Sequence, residues 1–406
     1  MIRFSALVLG LCLAAYGSVG LWLSHTTDRG LHKSFCEAGL CPLEFSPARV
    51  YELQYNSRTG HAGQAIPEFQ REVKADSASP YAWADLGEAL ASAHELRLAD
   101  YCMRSAVAAG PNSPAILMRA ANVSLSAGNN QAAMSYLSRV LRDPTVKQYF
   151  PAVFLTYNRM GVPIEDVLAH DFPASSGAGE AILRYSIQAQ RVPDAEAVWH
   201  WMAAHNLQND ALAADYLRFL IAAGHEQAAA EEWAQLNRNW DPDYRRQNWI
   251  FDGGFEQAAR SGPLDWRIEA NPNVEVVRSA AMLREGKWSL ELKFAGFDNT
   301  NFEGVYQDTV LAPGKWRLRA SLKTSGITTD QGVGLRVYDA AQTRRMDART
   351  ETLTGTHDWT RLEREFEVHP ETKLVRVEVF REPSTRFDNR IEGRAWIDCV
   401  ELVPVR

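Results

Sequence analysis

Along residues 51–240 apolar side chains recur at helical spacing, and past Trp240 that period gives way to alternation. A single change of period constrains the chain to a helical part followed by a strand-rich part. One helical unit carries Trp83, Leu86, Gly87, Leu90, Ala99, Met103, Ala106 and Pro111. Small residues at Gly87 and Ala99 let two antiparallel helices approach, and larger ones fill the space between them. Leu117, Ala120, Ala121, Gly128, Ala133, Leu137 and Val140 repeat the unit, and Pro144 lies 33 residues after Pro111. A later unit shows Tyr216, Leu217, Leu220, Gly224, Ala229, Trp233 and Leu236. Ala195, Trp199 and Met202 read as the second helix of a degenerate unit, and Ala65 and Phe69 as part of one upstream. Pro151, Pro163 and Pro173 interrupt the pattern between Val146 and Gly179.

This spacing resembles the tetratricopeptide repeat, whose period is about 34 residues, and leaves room for about five units. The resemblance implies an α-solenoid whose concave groove, lined by the first helix of each pair, binds a protein partner. On that reading the groove positions are Tyr81, Ala84, Glu88, Ala91 and Ser92, then Ala115, Met118, Asn122, Leu125 and Ser126. They lack the Lys/Arg cluster that would clamp a carboxylate terminus. A rigid spacer without a partner is the other reading.

The run Asp241 to Gln247 (DPDYRRQ) marks a boundary. Beyond it Trp316, Leu318, Ala320 and Leu322 alternate with charged residues and Ser321, as Trp288, Leu290, Leu292 and Phe294 do with Ser289, Glu291 and Lys293. Further strands are expected at 304–311, 333–338, 359–368, 373–381 and 395–403, with turn signals such as Pro313–Gly314 between them. Short strands with one apolar face predict an antiparallel β-sandwich. Its landmarks are Asn248, Phe251-Asp252-Gly253-Gly254-Phe255-Glu256, Trp266 and Gly286-Lys287-Trp288-Ser289-Leu290. Tyr306-Gln307, Pro313-Gly314-Lys315-Trp316, Trp359 and Trp396-Ile397-Asp398-Cys399-Val400-Glu401-Leu402 follow. Taken in order, they resemble the galactose-binding-like jelly rolls, in particular the carbohydrate-binding modules of bacterial cellulases and xylanases, over 248–406.

That resemblance implies a sugar site in which aromatic rings meet the flat C–H faces of a saccharide and Gln, Asn or Arg fixes its hydroxyls. The candidates are Tyr306, Gln307, Arg336, Tyr338, Arg381 and Trp266, provided that several converge on one face. Trp288, Trp316 and Trp359 share the apolar face and are expected in the core. Relatives of this sandwich often carry a structural calcium. The matching acids are Glu256 and Asp398, with backbone oxygen from around Gly286–Lys287. A turn cap and a surface ion pair are the alternative roles for the two acids.

Phe4 to Leu23 carries no charge, and Arg3 precedes it. Twenty uncharged, mostly apolar residues match a transmembrane helix, with the remainder of the chain exported. A cleaved signal sequence ending near Ala15 and Gly17 is the rival reading. The expected layout is therefore anchor or signal at 1–24, exported linker at 25–50, solenoid at 51–240 and sandwich at 248–406. Cys36 and Cys41, just outside the anchor, are disulfide candidates or two unpaired thiols. A net charge of −7 leaves no basic surplus for nucleic acid. No phosphate loop, nucleophile elbow, paired-His helix or calcium-loop motif is present in the sequence, and no stretch remains for a catalytic domain.

The expected function is a membrane-anchored, non-enzymatic adaptor at a bacterial inner membrane, facing the periplasm. Its repeats hold a protein and its sandwich a glycan, in envelope or exopolysaccharide assembly or export. A purely structural interaction scaffold is the alternative, and a glycan-acting hydrolase a remoter one.

Overall fold

A computed structural model describes Gln54 and residues 62–405 apart from positions 171 and 261. The Phe4–Leu23 run and the pair Cys36 and Cys41 lie outside the described residues, and so does Cys12. Among the described residues no helix is long and apolar enough to cross a membrane. The chain divides into two compact units, one ending at Tyr185 and the other beginning at Ser186.

The first unit is helical: α1 Ala62–Ala75, α2 Pro80–Ser92, α3 Leu96–Ala109, α4 Pro114–Ser126 and α5 Asn130–Leu141. A 3₁₀ turn (Pro144–Tyr149), α6 (Phe150–Arg159), α7 (Ile164–His170) and α8 (Ser176–Gln188, which runs across the divide) follow. Capping residues set the period. Ser79 precedes α2 and Ser113 precedes α4, each followed by a proline in the first turn, where a missing N–H costs nothing. The Ser79 hydroxyl accepts from the Ala82 N–H. Gly87 is needed for close approach: a Cβ there would lie 2.9 Å from Met103 Cε and 3.3 Å from Cys102 Cβ. The prolines between Val146 and Gly179 shorten the helices without abolishing them. Pro151 sits in the first turn of α6, Pro163 precedes α7, and α7 has only seven residues.

One groove assignment changes: Ala84 is fully buried. A charged cluster that includes Glu88 occupies the space between the first helices of successive pairs. Arg119 of α4 donates to Asp85, 34 residues earlier on α2, and through Nε to Glu88 at 2.7 Å. Gln54 Nε2 donates to the same Asp85 oxygen at 2.7 Å. Asp85 is 3% exposed, so its partners compensate lost hydration.

The second unit begins with α9 (Val192–Ala204), α10 (Asp210–Ala222) and α11 (Glu226–Leu236). Trp199 stacks on Tyr216 at 4.9 Å, and Ala195, Trp199 and Met202 are fully buried, as the spacing requires. These helices pack directly on the sandwich, so the compact unit begins earlier than the change of period. Trp233 of α11 meets Phe251 edge-on at 5.2 Å, and Lys373 pairs with Glu226 at 3.2 Å.

Two antiparallel five-stranded sheets form the sandwich. The first runs β1 (Arg267–Ile268), β4 (Phe302–Thr309), β9 (Val375–Arg381), β6 (Gly334–Asp339), β7 (Asp347–Arg349). The second runs β2 (Val274–Ser279), β3 (Ser289–Ala295), β10 (Glu392–Pro404), β5 (Gly314–Ile327), β8 (Gly355–Val368). Alternate residues of both sheets, among them Leu290, Leu292, Leu318, Leu322, Val375, Val377, Val379 and Ile397, fill one core. Trp316 is buried as expected, whereas Trp288 and Trp359 are only half-buried, and Arg278 lies 4.5 Å over the Trp288 ring.

The outer face of the second sheet is a lattice of cross-strand ion pairs, including Arg317–Glu365, Arg319–Glu363, Lys323–Asp358 and Arg394–Glu291. Exposed pairs of this kind contribute little to stability, because water and salt screen them.

Candidate functional site

The outer face of the first sheet is chemically different. Because successive side chains of a strand point to opposite faces, inward Val375, Val377 and Val379 put Arg376, Glu378 and Phe380 outward. Register then sets two rows. Tyr306, Glu378, Arg336 and Arg349 lie opposite one another across β4, β9, β6 and β7. Asp308, Arg376, Tyr338 and Asp347 form the next row.

Of the six sugar-site candidates, Tyr306, Arg336 and Tyr338 come together on this face. Gln307, Arg381 and Trp266 do not. Gln307 follows Tyr306 directly and so must face the core, where its Oε1 accepts the Phe251 N–H at 2.9 Å and its Nε2 donates to Phe251 O at 2.8 Å. Arg381 continues the inward series of β9 and is fully buried. It donates to Thr300 O at 2.6 Å, Asn299 Oδ1 at 2.9 Å and Thr329 Oγ1 at 3.1 Å, and burial pulls its pKa down. Trp266 is 3% exposed against Phe255, with its indole N–H on Asp252 O at 3.1 Å. Arg376, Glu378, Asp308 and Phe380 were missed. Alternation carries that signal for Arg376, Glu378 and Phe380 once the valines of 375–381 are placed inside, and for Asp308 once Gln307 and Thr309 are.

On the face, most polar groups are already paired. Arg376 holds Asp308 in a fork at 2.7 and 2.9 Å and lies 3.9 Å over the Tyr306 ring, and the Asp308 hydrogen bonds raise its pKa. Arg336 grips Asp347 at 2.9 and 2.8 Å and lies 4.4 Å from the Tyr338 ring centroid. The Tyr306 hydroxyl donates to Glu269 at 3.0 Å. The Tyr338 hydroxyl donates to Glu378 Oε2 at 2.8 Å, and burial, then this bond to the carboxylate, pushes it up to about 12.

Glu378 is the exception. It is 3% exposed, burial raises its pKa, and among the described residues nothing donates a hydrogen bond to its Oε1, which is itself covered. The nearest cation, Arg336 Nη1, stands 3.8 Å away. A buried acceptor without a donor is costly, about 1–3 kcal/mol, and a hydroxyl brought to this face would relieve that cost.

The two calcium candidates converge elsewhere, beside the pairing of the first and last segments of the sandwich. A Cβ on Gly254 would come 3.8 Å from Asp398 Oδ1 and 4.0 Å from Glu256 Oε1. Glu256 Oε1 accepts from the Lys287 and Trp288 N–H groups at 2.8 and 3.2 Å. Asp398 Oδ2 accepts from Arg284 and Glu285 at 2.9 and 3.1 Å. Among the described residues neither acid pairs with a Lys or Arg side chain, and no cluster of three or more His, Cys, Asp or Glu suits a metal. Asp398 Oδ1 also accepts the Cys399 N–H at 2.7 Å, so backbone N–H groups cap both carboxylates, and a calcium would have to compete with those donors.

A third set of acids has a pH consequence. Asp252 accepts the Glu256 and Gln257 N–H groups at 2.7 and 2.9 Å, and burial, with smaller contributions from Asp265 and Asp241, pushes it up to about 7. An unfolded aspartate titrates near 3.9, so between about pH 4 and 7 the folded chain holds the extra proton. Stability is therefore greatest below that window and falls as pH rises through about 7. Urea midpoints are expected to be higher at pH 5 than at pH 8, with the difference reduced in Asp252→Asn. A midpoint that climbs between those pH values contradicts the assignment.

No protein-family model and no curated protein matches the chain. Among solved structures, the sandwich is similar to TmCBM61 in complex with beta-1,4-galactotriose. That match is 19% identical, covers 39% of this chain and 99% of that one, and has a TM-score of 0.29. It is also similar to the CBM22-1 xylan-binding domain of Paenibacillus barcinonensis Xyn10C, at 14% identity, 39% and 96% coverage and a TM-score of 0.25. Family 16 Carbohydrate Binding Module-2 gives 17%, 38% and 99%, and 0.27.

Proposed function

We propose that this chain is a membrane-tethered, exported adaptor whose sandwich binds a glycan on the outer face of its first sheet. The observation that carries the reading is Glu378 Oε1, a buried acceptor without a donor, set in one row between Tyr306 and Arg336. A saccharide hydroxyl supplies the missing donor there, and the tyrosines supply apolar surface beside it. The helical hairpins, by their likeness to tetratricopeptide repeats, hold a protein partner. The uncharged run Phe4 to Leu23 is the basis for placing the protein at a bacterial inner membrane with the rest in the periplasm. Glycan assembly or export is the process that joins the two modules in this reading, and no catalytic step is part of it.

One observation favours a plain scaffold instead: guanidinium groups cover both tyrosine rings, at 3.9 and 4.4 Å. On the glycan reading, the ligand meets the rings at their edges or displaces an arginine.

Glu256 and Asp398 complete the proposal as holders of a structural calcium, which ties the 284–288 loop to the last strand. The full chain on a glycan array, and its thermal melt with and without a chelator, test ligand and ion in turn. The expected result is binding to a defined set of oligosaccharides. Chelation is expected to lower the melting midpoint by roughly 5–10 °C, the effect of removing an ion present at a hundredfold excess over its dissociation constant. An empty array sinks the glycan reading, and an unmoved midpoint sinks the calcium.

A further inference from the structure

The DPDYRRQ run that separates helices from strands has a use of its own. With the end of α11 it encloses a groove of about 400 Å³, lined in part by Arg238, Tyr244, Arg245, Arg246, Glu231 and Asp241. Arg238 and Arg246 are exposed, and among the described residues neither guanidinium group forms an ion pair or a side-chain hydrogen bond. Arg245 is held in place. Its backbone is left-handed at φ 61°, its N–H reaches Asn248 O at 2.6 Å, and its Nη1 donates to Val310 O at 3.1 Å. A non-glycine residue in that conformation is strained, and such strain collects at sites of function.

Tyr244 closes the inner wall: it is 3% exposed, with its hydroxyl covered and next to Thr309 and Arg245. The two acids on the wall are occupied otherwise. Asp241 accepts the Tyr244 N–H at 3.0 Å through Oδ1 and the Asp252 N–H at 2.9 Å through Oδ2. Glu231 accepts the Gln227 amide at 2.8 Å. Three guanidinium groups therefore line one groove without a carboxylate engaged to them.

The geometry points to an oxyanion site: the groove takes a phosphoryl or carboxylate group carried on a small polar molecule such as a sugar. Planar guanidinium forks match those oxygens two at a time, which a lysine cluster does not do. The groove exceeds the size of phosphate alone and leaves space for the body of the ligand. It shares no residue with the outer face of the first sheet, so it does not depend on the glycan reading.

Calorimetric titration of the full chain at low ionic strength tests it, with inorganic phosphate, glucuronate and neutral glucose as separate probes. Saturable binding of at least one anion, and none of glucose, is expected. The Arg238→Ala/Arg246→Ala double variant is expected to weaken that binding at least tenfold. Both side chains are exposed, and unchanged circular dichroism verifies the fold. The stronger of the two anions identifies phosphoryl or carboxylate as the group held. The proposal is overturned if neither anion binds, or if the double variant binds as tightly as the parent. Neutral-oligosaccharide binding by the same variant is expected to persist, which keeps this test separate from that of the sheet face.

Discussion

Replacing Gly253 with alanine is expected to lower the melting midpoint of the second unit by roughly 6–12 °C, from about 3 kcal/mol of lost stability. A Cβ at this position would stand 2.0 Å from Val400 O and 3.0 Å from Val400 C, both backbone atoms that no rotamer change can move aside. The same contact carries a hydrogen bond from the Val400 N–H to Gly253 O at 2.8 Å, and Asn248 Nδ2 reaches Val400 O at 3.0 Å. Separating these segments would disturb Phe251 and Phe255, both buried beside the glycine. Gly63→Ala is the control: a Cβ there meets nothing within 4 Å, and no change or a slight gain is expected from the better helix former. Differential scanning calorimetry reads both, and an unmoved midpoint for Gly253→Ala would contradict the packing described.

The division into helices and strands was legible because burial imposes a period, and a period survives in a linear chain. The inward valines of β9 and the leucines of β3 and β5 all follow from alternation. The candidate site was only half legible, and the reason is again alternation. Tyr306 and Gln307 are adjacent strand residues and cannot share a face, and Arg381 falls in the inward series of β9, so only part of the expected set reaches the surface. Buried polar side chains such as these look like ligands in sequence because nothing local reveals their partners. Arg381 is satisfied by Thr300 and Asn299, some 80 residues away along the chain. The short β1 and β7 left no pattern long enough to read. The groove cluster of Asp85 and Arg119 was equally hidden, since its members sit one repeat apart.

Glu378 decides the functional account, since its free oxygen is the feature that asks for a donor from outside. The variants Tyr338→Ala and Glu378→Ala are each expected to cost about 2 kcal/mol of binding, or roughly thirtyfold in affinity, as central contacts of an interface do. Arg317→Ala, on the ion-paired outer face of the other sheet, is expected to leave affinity unchanged. The deciding measurement is calorimetric titration of the wild-type chain and these three variants with the strongest oligosaccharide found on the array. Loss confined to Tyr338→Ala and Glu378→Ala is the predicted result. Equal affinity in all four proteins would mean that the sugar binds elsewhere and that this sheet face is not its platform.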